Sequence, residues 1–419
     1  MKHVKNGVSQ SGTLEKPQGL PYNELNNRVR RCGRQTGGDG GYSVQLGKVI
    51  IVPDSFKGSL SSSQAAGVIA GEVLAAFPNC TVVKMPIADG GEGSVDTVLS
   101  VTGGETYEAL VLSPDDSEIN ARYGVIGSGT AILEMAQSSG LTRQNGLHPM
   151  SSSTYGFGQL ILAALDLGIR DFLLCIGGSA TTDGGCGMAA ALGVRFLDGF
   201  GNGFVPCGGT LGAIARWDDQ GMDARIRQSA FTVLCDVDNP LSGPRGAACV
   251  YAPQKGANPA QVRLLDDGLR RLGELLAERY GEDYAGVPGA GAAGGLGAGC
   301  MAFLGAKLKS GIETILDICG FSGQLADTDL IITGEGKLDE QSFQGKVLSG
   351  ILRRAGNVPV CSICGVRRCD EARLREHGIL AFEASEGISI EDSMADPERY
   401  IRLAAQRAMR TIKEGGIAR

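Results

Sequence analysis

The sequence predicts an α/β protein with two α/β domains, one doubly wound and Rossmann-like, the other a mixed-sheet insertion. Apolar runs alternate with segments of helical periodicity, which is typical of β–α–β units in parallel sheets. The chain has 419 residues, enough for two domains. Hydrophobic residues make up 42% of it and charged residues 20%, as in a globular protein with a large core.

The doubly wound domain is predicted to be discontinuous, with the active site in the cleft between the two domains. The predicted divisions are a disordered extension at 1–46, a first Rossmann-like segment at 47–103, the insertion at 104–291 and a second Rossmann-like segment at 292–419. The extension is polar and lacks a sustained apolar period. Val44 and Leu46 are residue types that alternative bacterial start codons encode. A chain that begins with methionine at position 46 is therefore expected to fold and work like the full chain.

The first β–α–β unit is predicted from three consecutive patterns. Lys48–Pro53 is a continuous apolar run, which indicates a strand covered on both faces. Ser61 and Gln64 have the spacing of a capping box, so a helix is expected to begin there and to end before Pro78. The apolar run at 81–87 is predicted to be the second strand.

The same alternation returns further along the chain. Strands are predicted at 171–176, 329–333 and 358–364, and helices from about 187 and at 347–355. Between Thr106 and Ala136 the segments TYEALVLS, INARYGVIG and TAILEMA alternate apolar and polar residues. That period of two predicts an antiparallel meander inside the insertion.

Charge and cysteine content exclude several classes of protein. The net charge of −7 argues against nucleic acid or an anionic membrane as partner. No apolar run reaches the roughly 20 residues that span a bilayer, and the first 46 residues lack a secretory apolar region, so a cytoplasmic protein is expected. The twelve cysteines are expected to be free thiols. Cys361 and Cys364 have metal-ligand spacing, but no second pair exists, so zinc is not expected.

Four polar loops follow predicted strands, and ligands of open α/β sheets bind at that end of the strands. The loops lie at 54–59, 88–94, 177–185 and 333–339. Each combines glycines with carboxylate, hydroxyl or lysine side chains. Glycine-rich turns present amides to phosphate, lysines add charge, and carboxylates hold Mg²⁺ or accept a proton. One such loop is usually only a tight connection. Asp89 or Glu92 alone is better explained as a helix cap, and Asp183 alone is explained equally well as a cap or as a catalytic residue.

Three further segments have weaker functional signals. The turn at 235–241 contains Asn-Pro, and Lys255 lies in a segment expected to be an exposed loop. Gly289, Gly291 and Gly294 form a GxGxxG motif, but the preceding segment is a poor strand. Close packing of a small-residue helix, or a turn that faces phosphate, explains this block better than NAD binding. The residues thus indicate an enzyme that handles a phosphate and a small polar substrate, with an NAD-dependent oxidoreductase and a non-catalytic ligand-binding protein as alternatives.

Eight motifs, in order from about residue 47 to the C-terminus, resemble the bacterial glycerate kinase family, type 1. They are IVPDSFKGSLSS, MPIADGGEGS, IGGSATTDGGCGM, CDVDNPLSGPRGA, YAPQKGA, PGAGAAGGLGAG, LKSGIE and TGEGKLDEQSFQGK. The resemblance implies ATP-dependent phosphorylation of D-glycerate in organic-acid catabolism of the glyoxylate or glucarate type, with 2-phosphoglycerate favoured over 3-phosphoglycerate. It also implies two domains that face each other across a cleft. Thr182 and Leu348 depart from the usual family residues, which removes no carboxylate or lysine from the motifs.

Residue chemistry assigns candidate roles within those motifs, for ATP and Mg²⁺ as cofactors. Asp183 is the expected base on the glycerate hydroxyl, although its role could be exchanged with those of Glu335 and Asp339, the expected Mg²⁺ ligands. The phosphate ligands are expected to be Lys57, Lys337 and Lys346. The glycerate ligands are expected to be Ser55, Asp89, Glu92, Gly178 and Ser179. The turn that contains Gly291, Gly294 and Gly295 is expected to approach the nucleotide.

Overall fold

Two large sheets and one small sheet form the framework of the computed structural model, which describes residues 44–414 except Lys57, Asp89, Ser128 and Gln344. The strands are β1 Lys48–Pro53, β2 Thr81–Lys84, β3 Glu105–Leu112, β4 Glu118–Ile126, β5 Thr130–Glu134, β6 Asp171–Cys175, β7 Arg195–Leu197, β8 Gly203–Phe204, β9 Arg216–Asp218, β10 Ala230–Leu234, β11 Lys307–Lys309, β12 Leu330–Leu338, β13 Val360–Arg367 and β14 Ile379–Glu383. The helices are α1 Ser62–Ala76, α2 Ser94–Thr102, α3 Ala136–Ser139, α4 Tyr155–Asp166, α5 Cys186–Ala191, α6 Ala247–Tyr251, α7 Pro259–Tyr280, α8 Ala292–Leu304, α9 Gly311–Ile318, α10 Phe321–Gln324, α11 Val347–Ala355, α12 Glu371–Glu376, α13 Ile390–Ala395 and α14 Pro397–Lys413.

The first sheet is parallel throughout and has the order β2-β1-β12-β13-β14. Its strands alternate faces. Val49 and Ile51 of β1 pack with α1 and α14, whereas Ile50 and Val52 pack with α9 and α11 on the opposite face. Helices on both faces confirm the predicted doubly wound arrangement. The strand order reverses between β1 and β12, which makes that pair the topological switch point where ligands bind in such sheets.

The second sheet is mixed and has the order β11-β10-β6-β5-β4-β3. Strands β3, β4 and β5 pair antiparallel, which confirms the predicted meander, and β5, β6, β10 and β11 pair parallel. Strand β11, which follows the predicted boundary at 291, pairs with β10 of this sheet rather than with the doubly wound sheet. A small sheet of β8, β7 and β9, which the sequence did not predict, also belongs to the insertion.

The two large sheets share a buried core. Ile50 of β1 and Ile331 of β12 belong to the same apolar cluster as Ile132, Leu173 and Leu234 of the second sheet. Helices α9 and α11 contribute to this cluster as well, and their backbones come close enough that a Cβ added at Gly350 would lie 2.6 Å from the Ile312 side chain. The insertion is therefore packed on one face of the doubly wound sheet.

Two boundaries differ from the sequence prediction for physical reasons. The segment 333–339, predicted as a loop, continues β12 to Leu338, because Lys337 and Leu338 pair in register with Val366 and Arg367 of β13. Val44 and Leu46, predicted to lie in a disordered extension, are each only 5% exposed and pack in the core of α1 and α14. Burial of these apolar side chains stabilises the folded state, so the fold begins before residue 47. The remainder of the predicted extension, 1–43, lies outside the described residues.

The described cysteines are all free thiols, as the sequence predicted. No cluster of three or more histidine, cysteine, aspartate or glutamate side chains arranged to hold a metal ion occurs within the described part of the chain. Among the described helices none is long and apolar enough to cross a membrane.

Candidate active site

A cavity of about 270 Å³ lies at the switch point between β1 and β12. The loop after β1 lines it with Asp54 and Ser55, and the end of β12 lines it with Glu335 and Lys337. Lys346, at the start of α11, contributes a further charge. The structure thus brings together in one cavity five polar side chains from loops that are far apart in the chain.

Glu335 is the carboxylate with the most perturbed environment in this cavity. Burial raises its pKa to about 7, against the opposing hydrogen bond that the Ser342 hydroxyl donates to Glu335 Oε2 at 2.7 Å. The nearby carboxylate of Asp54 raises the pKa further. Alternate residues of a strand share a face, so Glu335 is on the same face as Ile331, whose side chain belongs to the core between the two sheets. Glu335 is therefore directed towards the insertion.

The pKa of Asp339 is shifted in the direction opposite to that of Glu335. Lys337 Nζ lies 2.7 Å from Asp339 Oδ2, and this contact lowers the pKa of Asp339. Lys337 itself is exposed, and Lys346 Nζ lies 3.3 Å from the Gln341 side-chain oxygen. Glu335 in the cavity is therefore readily protonated, whereas Asp339, which does not line the cavity, stays ionised. Acid–base sites commonly use such a division.

The loop after β1 turns sharply at the mouth of the cavity. The Ser55 amide donates to Asp54 Oδ1 at 2.6 Å, and the Asp54 amide donates to the Gly334 carbonyl at 2.8 Å. These bonds attach the loop to β12 and hold Ser55 at the cavity wall. Lys57, predicted to bind phosphate in this loop, lies outside the described residues.

Loops of the two sheets approach each other at the carboxyl ends of β2 and β6. A Cβ added at Gly177 would lie 2.8 Å from the Cα of Gly91, so the loop after β6 almost touches the loop after β2. Gly178 and Glu92 are exposed at this junction, and Ser179 is 8% exposed. These predicted glycerate ligands therefore lie on adjoining loops, whereas Asp89 lies outside the described residues.

Asp183 is fully buried rather than open to a substrate. Its Oδ2 accepts hydrogen bonds from the Thr154 amide and hydroxyl, both at 2.8 Å, and from the Gly187 amide at 3.2 Å. Its Oδ1 accepts from the Gly185 amide at 3.1 Å. Burial raises the pKa of Asp183 in spite of these four bonds. This geometry is that of a carboxylate that joins the loop 177–185 to the start of α4.

Lys255 lies in an environment very different from the one that the sequence predicts. The segment was expected to be an exposed loop, yet Lys255 is 1% exposed. Its Nζ donates to Ser179 Oγ at 2.7 Å and to the Thr181 carbonyl at 2.6 Å, so it supports the loop after β6 from behind. Burial lowers the pKa of Lys255 to about 7, while the negative charge of Asp183 opposes that shift.

Two further carboxylates, which the sequence analysis does not select, bind the N-termini of helices α9 and α2. Asp236, directly after β10, accepts from the Ser310 hydroxyl at 2.7 Å and from the Gly311 amide at 3.0 Å. Glu134, the last residue of β5, accepts from the Val95 amide at 2.7 Å. Both carboxylates lie at the carboxyl ends of strands, as the predicted site residues do, and this position is the sequence feature that could have identified them.

The glycine block at 288–299 packs against protein rather than facing an open space. Gly291, Gly294 and Gly295 are buried. A Cβ added at Gly294 would lie 2.0 Å from the Thr181 carbonyl oxygen, and one at Gly291 would lie 2.1 Å from that of Pro240. Helix α7, rather than a strand, is the described element directly before the motif, so the structural context of a dinucleotide fingerprint is missing. These contacts fit the close-packing interpretation of the three glycines.

Glu335 and the nearby Asp339 fit a magnesium ion that would be held jointly by protein and phosphate. Mg²⁺ in phosphoryl-transfer sites typically takes one or two carboxylates and completes its shell with phosphate oxygens and water. The charge of Asp339 raises the pKa of Glu335, so these two carboxylates lie near each other and could serve as the protein ligands of such an ion.

Comparisons with known proteins agree with one another. Residues 49–413 match the sequence model of the Glycerate kinase family. The chain is 40% identical over 373 residues to the glycerate kinase of Bacillus subtilis strain 168, covering 87% of this chain and 98% of that protein. It is 42% identical over 337 residues to the glycerate 2-kinase of Escherichia coli K12, covering 79% and 88% of the two chains.

A solved structure extends the agreement to the fold. A crystal structure described as that of glycerate kinase 2 from Salmonella typhimurium LT2 superposes with a TM-score of 0.77 at 38% identity, covering 89% of this chain and all of that one. The chain therefore belongs to the glycerate kinase family of enzymes.

Proposed function

We propose that the protein transfers the γ-phosphoryl group of ATP to the 2-hydroxyl of D-glycerate in the cytoplasm, releasing ADP and 2-phosphoglycerate. The observation that carries this proposal is the switch-point cavity, where Glu335 has a pKa of about 7 beside Lys337 and Lys346. Membership of the glycerate kinase family supports the substrate. The relative named glycerate 2-kinase supports the position of phosphorylation. A role in organic-acid catabolism follows from the same resemblance.

The cationic side of the cavity binds the phosphates in this proposal. Phosphoryl transfer needs positioning and neutralisation of charge more than covalent chemistry. Lys346 stands at the N-terminus of α11, where its ammonium and the helix amides together favour an anion. Asp339 is the side chain that would hold Mg²⁺, which neutralises phosphate charge when it is bound, and Glu335 remains available to accept a proton. Lys337 keeps Asp339 ionised for metal binding.

Glu335 is better placed than Asp183 to accept the proton of the glycerate hydroxyl. A general base works best when its pKa is near the working pH, and the pKa of Glu335 is about 7. Glu335 is also directed towards the insertion, whose loops carry the expected glycerate ligands Gly178 and Ser179. Asp183 already accepts four hydrogen bonds in a buried position, so we assign it the positioning of that loop.

The experiment that tests the function measures ADP release with D-glycerate, with L-glycerate and without acceptor, each with and without Mg²⁺. The expected result is release that depends on D-glycerate and Mg²⁺, with a phosphorus NMR signal of 2-phosphoglycerate. Glu335→Gln should lower kcat by about 10²–10⁴-fold. Asp339→Asn should raise the Mg²⁺ concentration that gives half-maximal rate.

Other outcomes would support the alternative functions. ADP release that is equal with and without glycerate across a broad set of acceptors would refute the kinase. Turnover of NAD(P)H would support an oxidoreductase, and tight binding of ATP and glycerate without turnover would support a binding protein.

A further inference from the structure

The switch-point cavity has an apolar part that the transfer of a phosphoryl group does not require. Its apolar lining comes from the loop after β1, from β13, from the end of β14 and from the two C-terminal helices: Phe56, Val366, Ala384, Ile390, Met394 and Ile401. The two lysines of the lining, Lys337 and Lys346, belong instead to β12 and the start of α11, and the carboxylates of the lining are Glu335 of β12 and Asp54 of the loop after β1. The cavity therefore joins two chemically different surfaces.

The strand order separates these two surfaces by a defined distance. Strands β12, β13 and β14 are consecutive neighbours in the sheet, and neighbouring strands lie about 4.8 Å apart. The end of β14, where Ala384 lines the cavity, is thus about 10 Å across the sheet from Glu335. A ligand that contacts both the lysines and the apolar lining would place an anionic group at one end and an apolar group at the other.

The apolar part is completed by helix α13. Met394 on this helix faces the turn after β1, since a Cβ added at Gly58 would lie 3.6 Å from the methionine methyl carbon. Met394 nevertheless keeps 50% of its surface exposed and Ile390 keeps 37%. Methionine is flexible and makes favourable contacts with aromatic rings, so an exposed Met394 at this rim suits a flat heteroaromatic ligand.

We propose that the apolar part of the cavity binds the purine base of ATP, with Met394 and Ile390 of α13 against the ring. The phosphates then extend towards Lys337 and Lys346. D-glycerate cannot be the occupant of the apolar part, because its three carbons carry only hydroxyl and carboxylate groups. The identity of the nucleotide rests on the proposed kinase function, whereas the division of the cavity rests on its lining residues.

Met394→Glu tests this assignment, because it places a charge against the ring while leaving the lysines intact. ADP binding, measured by titration calorimetry without glycerate, should weaken at least tenfold, and the KM for ATP should rise to match. The KM for D-glycerate should stay within twofold. The affinity for inorganic tripolyphosphate, which has the phosphates but no base, should also stay within twofold. Leu403→Glu is the matched control, since Leu403 is a 38% exposed leucine on α14 that does not line the cavity.

A second variant keeps the test informative if Met394→Glu alters the melting temperature. Ile390→Ser removes apolar contact without adding charge and should weaken ADP binding by about three- to tenfold. Unchanged ADP binding in both variants, or equal losses for ADP and tripolyphosphate, would overturn the purine site even if the enzyme phosphorylates glycerate. Selective loss of ADP binding would sustain it even if glycerate is not the acceptor. A wild-type protein that binds no ADP would refute both proposals.

Discussion

At the scale of single residues, the buried ammonium of Lys255 supports the loop on which glycerate is proposed to bind. Its hydrogen bonds go to Ser179 Oγ and to the Thr181 carbonyl, so it acts on the substrate through that loop. Lys255→Met should raise the KM for D-glycerate about 10–100-fold, the effect of losing hydrogen bonds from a charged donor, with a smaller change in kcat. Steady-state kinetics measure this split. Lys307→Met, at an exposed lysine, should change neither constant.

Lys255 should also make the free energy of unfolding depend on pH, which a solvated surface lysine would not. Its pKa is about 7 in the folded protein and near 10.5 in the unfolded chain, so the unfolded chain holds the proton more strongly between these values. The free energy of unfolding of the wild type should therefore rise relative to Lys255→Met as pH increases from 7 to 10, by at most about 1.4 kcal/mol per pH unit. Urea unfolding at several pH values measures it, and a flat difference would mean that the ammonium is not buried.

Glu335 contributes a pH dependence of stability that is opposite in sign to that of Lys255. Its folded pKa of about 7 exceeds the ordinary value of 4.5, so the folded state holds the proton more strongly in that interval. Stability due to this group is present below pH 4.5 and is lost as pH rises through 7. In the absence of divalent metal, Glu335→Gln should be more stable than wild type at pH 7.5 by about 2–3 kcal/mol, with the advantage vanishing near pH 4.5.

Glu118→Gln provides the comparison for that experiment, because Glu118 is an exposed glutamate at the start of β4. Its free energy of unfolding should follow that of wild type at every pH. A Glu335→Gln variant that does the same would show that Glu335 is well solvated. A gain in stability together with a loss of kcat would fit a site that sacrifices stability for function.

At the scale of secondary-structure elements, the glycine block of α8 serves close packing of backbones. Gly294 has a φ of 71° and lies against the Thr181 carbonyl, whereas Gly305 has a φ of 64° with open space around it. Alanine at either position has the left-handed backbone cost of about 1–2 kcal/mol, but only Gly294→Ala adds a collision. Gly294→Ala should therefore be destabilised by at least about 3 kcal/mol more than Gly305→Ala, measured by thermal or urea unfolding. A stable Gly294→Ala protein that has lost ATP binding would return this turn to the nucleotide site.

Local sequence patterns were sufficient to predict some secondary-structure elements but not others. The capping box of Ser61 and Gln64 and the helix at Val347–Ala355 were predictable, because local hydrogen bonds and a 3.6-residue period determine them. The extension of β12 to Leu338 was not, since glycines in TGEGKL resemble a loop and only pairing with β13 makes them a strand. Gly294 gave the same local signal as a phosphate turn, and only tertiary contacts with Thr181 distinguish the two.

The same distinction between local patterns and tertiary contacts applies to the residues of the candidate site. Glu335, Asp339 and Lys346 could be selected from the sequence, because charged residues after a strand are local features. The burial of Asp183 and Lys255 could not, since it results from segments 154, 179 and 255 meeting in space. A lysine beside proline and glycine has the local pattern of an exposed turn, and nothing in that pattern reports the acceptors that bury it.

At the scale of the whole molecule, the core between the two large sheets predicts that the domains unfold together. Helix α9 of this core supplies Ile312, which packs with residues of both sheets. The single tryptophan, Trp217, lies instead in the small sheet of the insertion, packed against Phe196 and Phe303. Trp217 fluorescence therefore reports on the insertion alone, while far-UV circular dichroism reports on the whole chain. The two signals should give coincident urea transitions.

Ile312→Ala sharpens this prediction, because it removes apolar volume from the shared core without touching either the cavity or Trp217. Loss of a fully buried isoleucine side chain costs about 2–5 kcal/mol, and this cost should appear equally in the fluorescence and dichroism transitions. If the domains were independent, the variant would shift only part of the dichroism change and leave the Trp217 transition in place. Joint movement would mean that the loops of the two sheets, which adjoin at Gly91 and Gly177, are held together by one cooperative core. The cleft geometry needed for phosphoryl transfer would then depend on the stability of the whole chain, rather than on the docking of two separate domains.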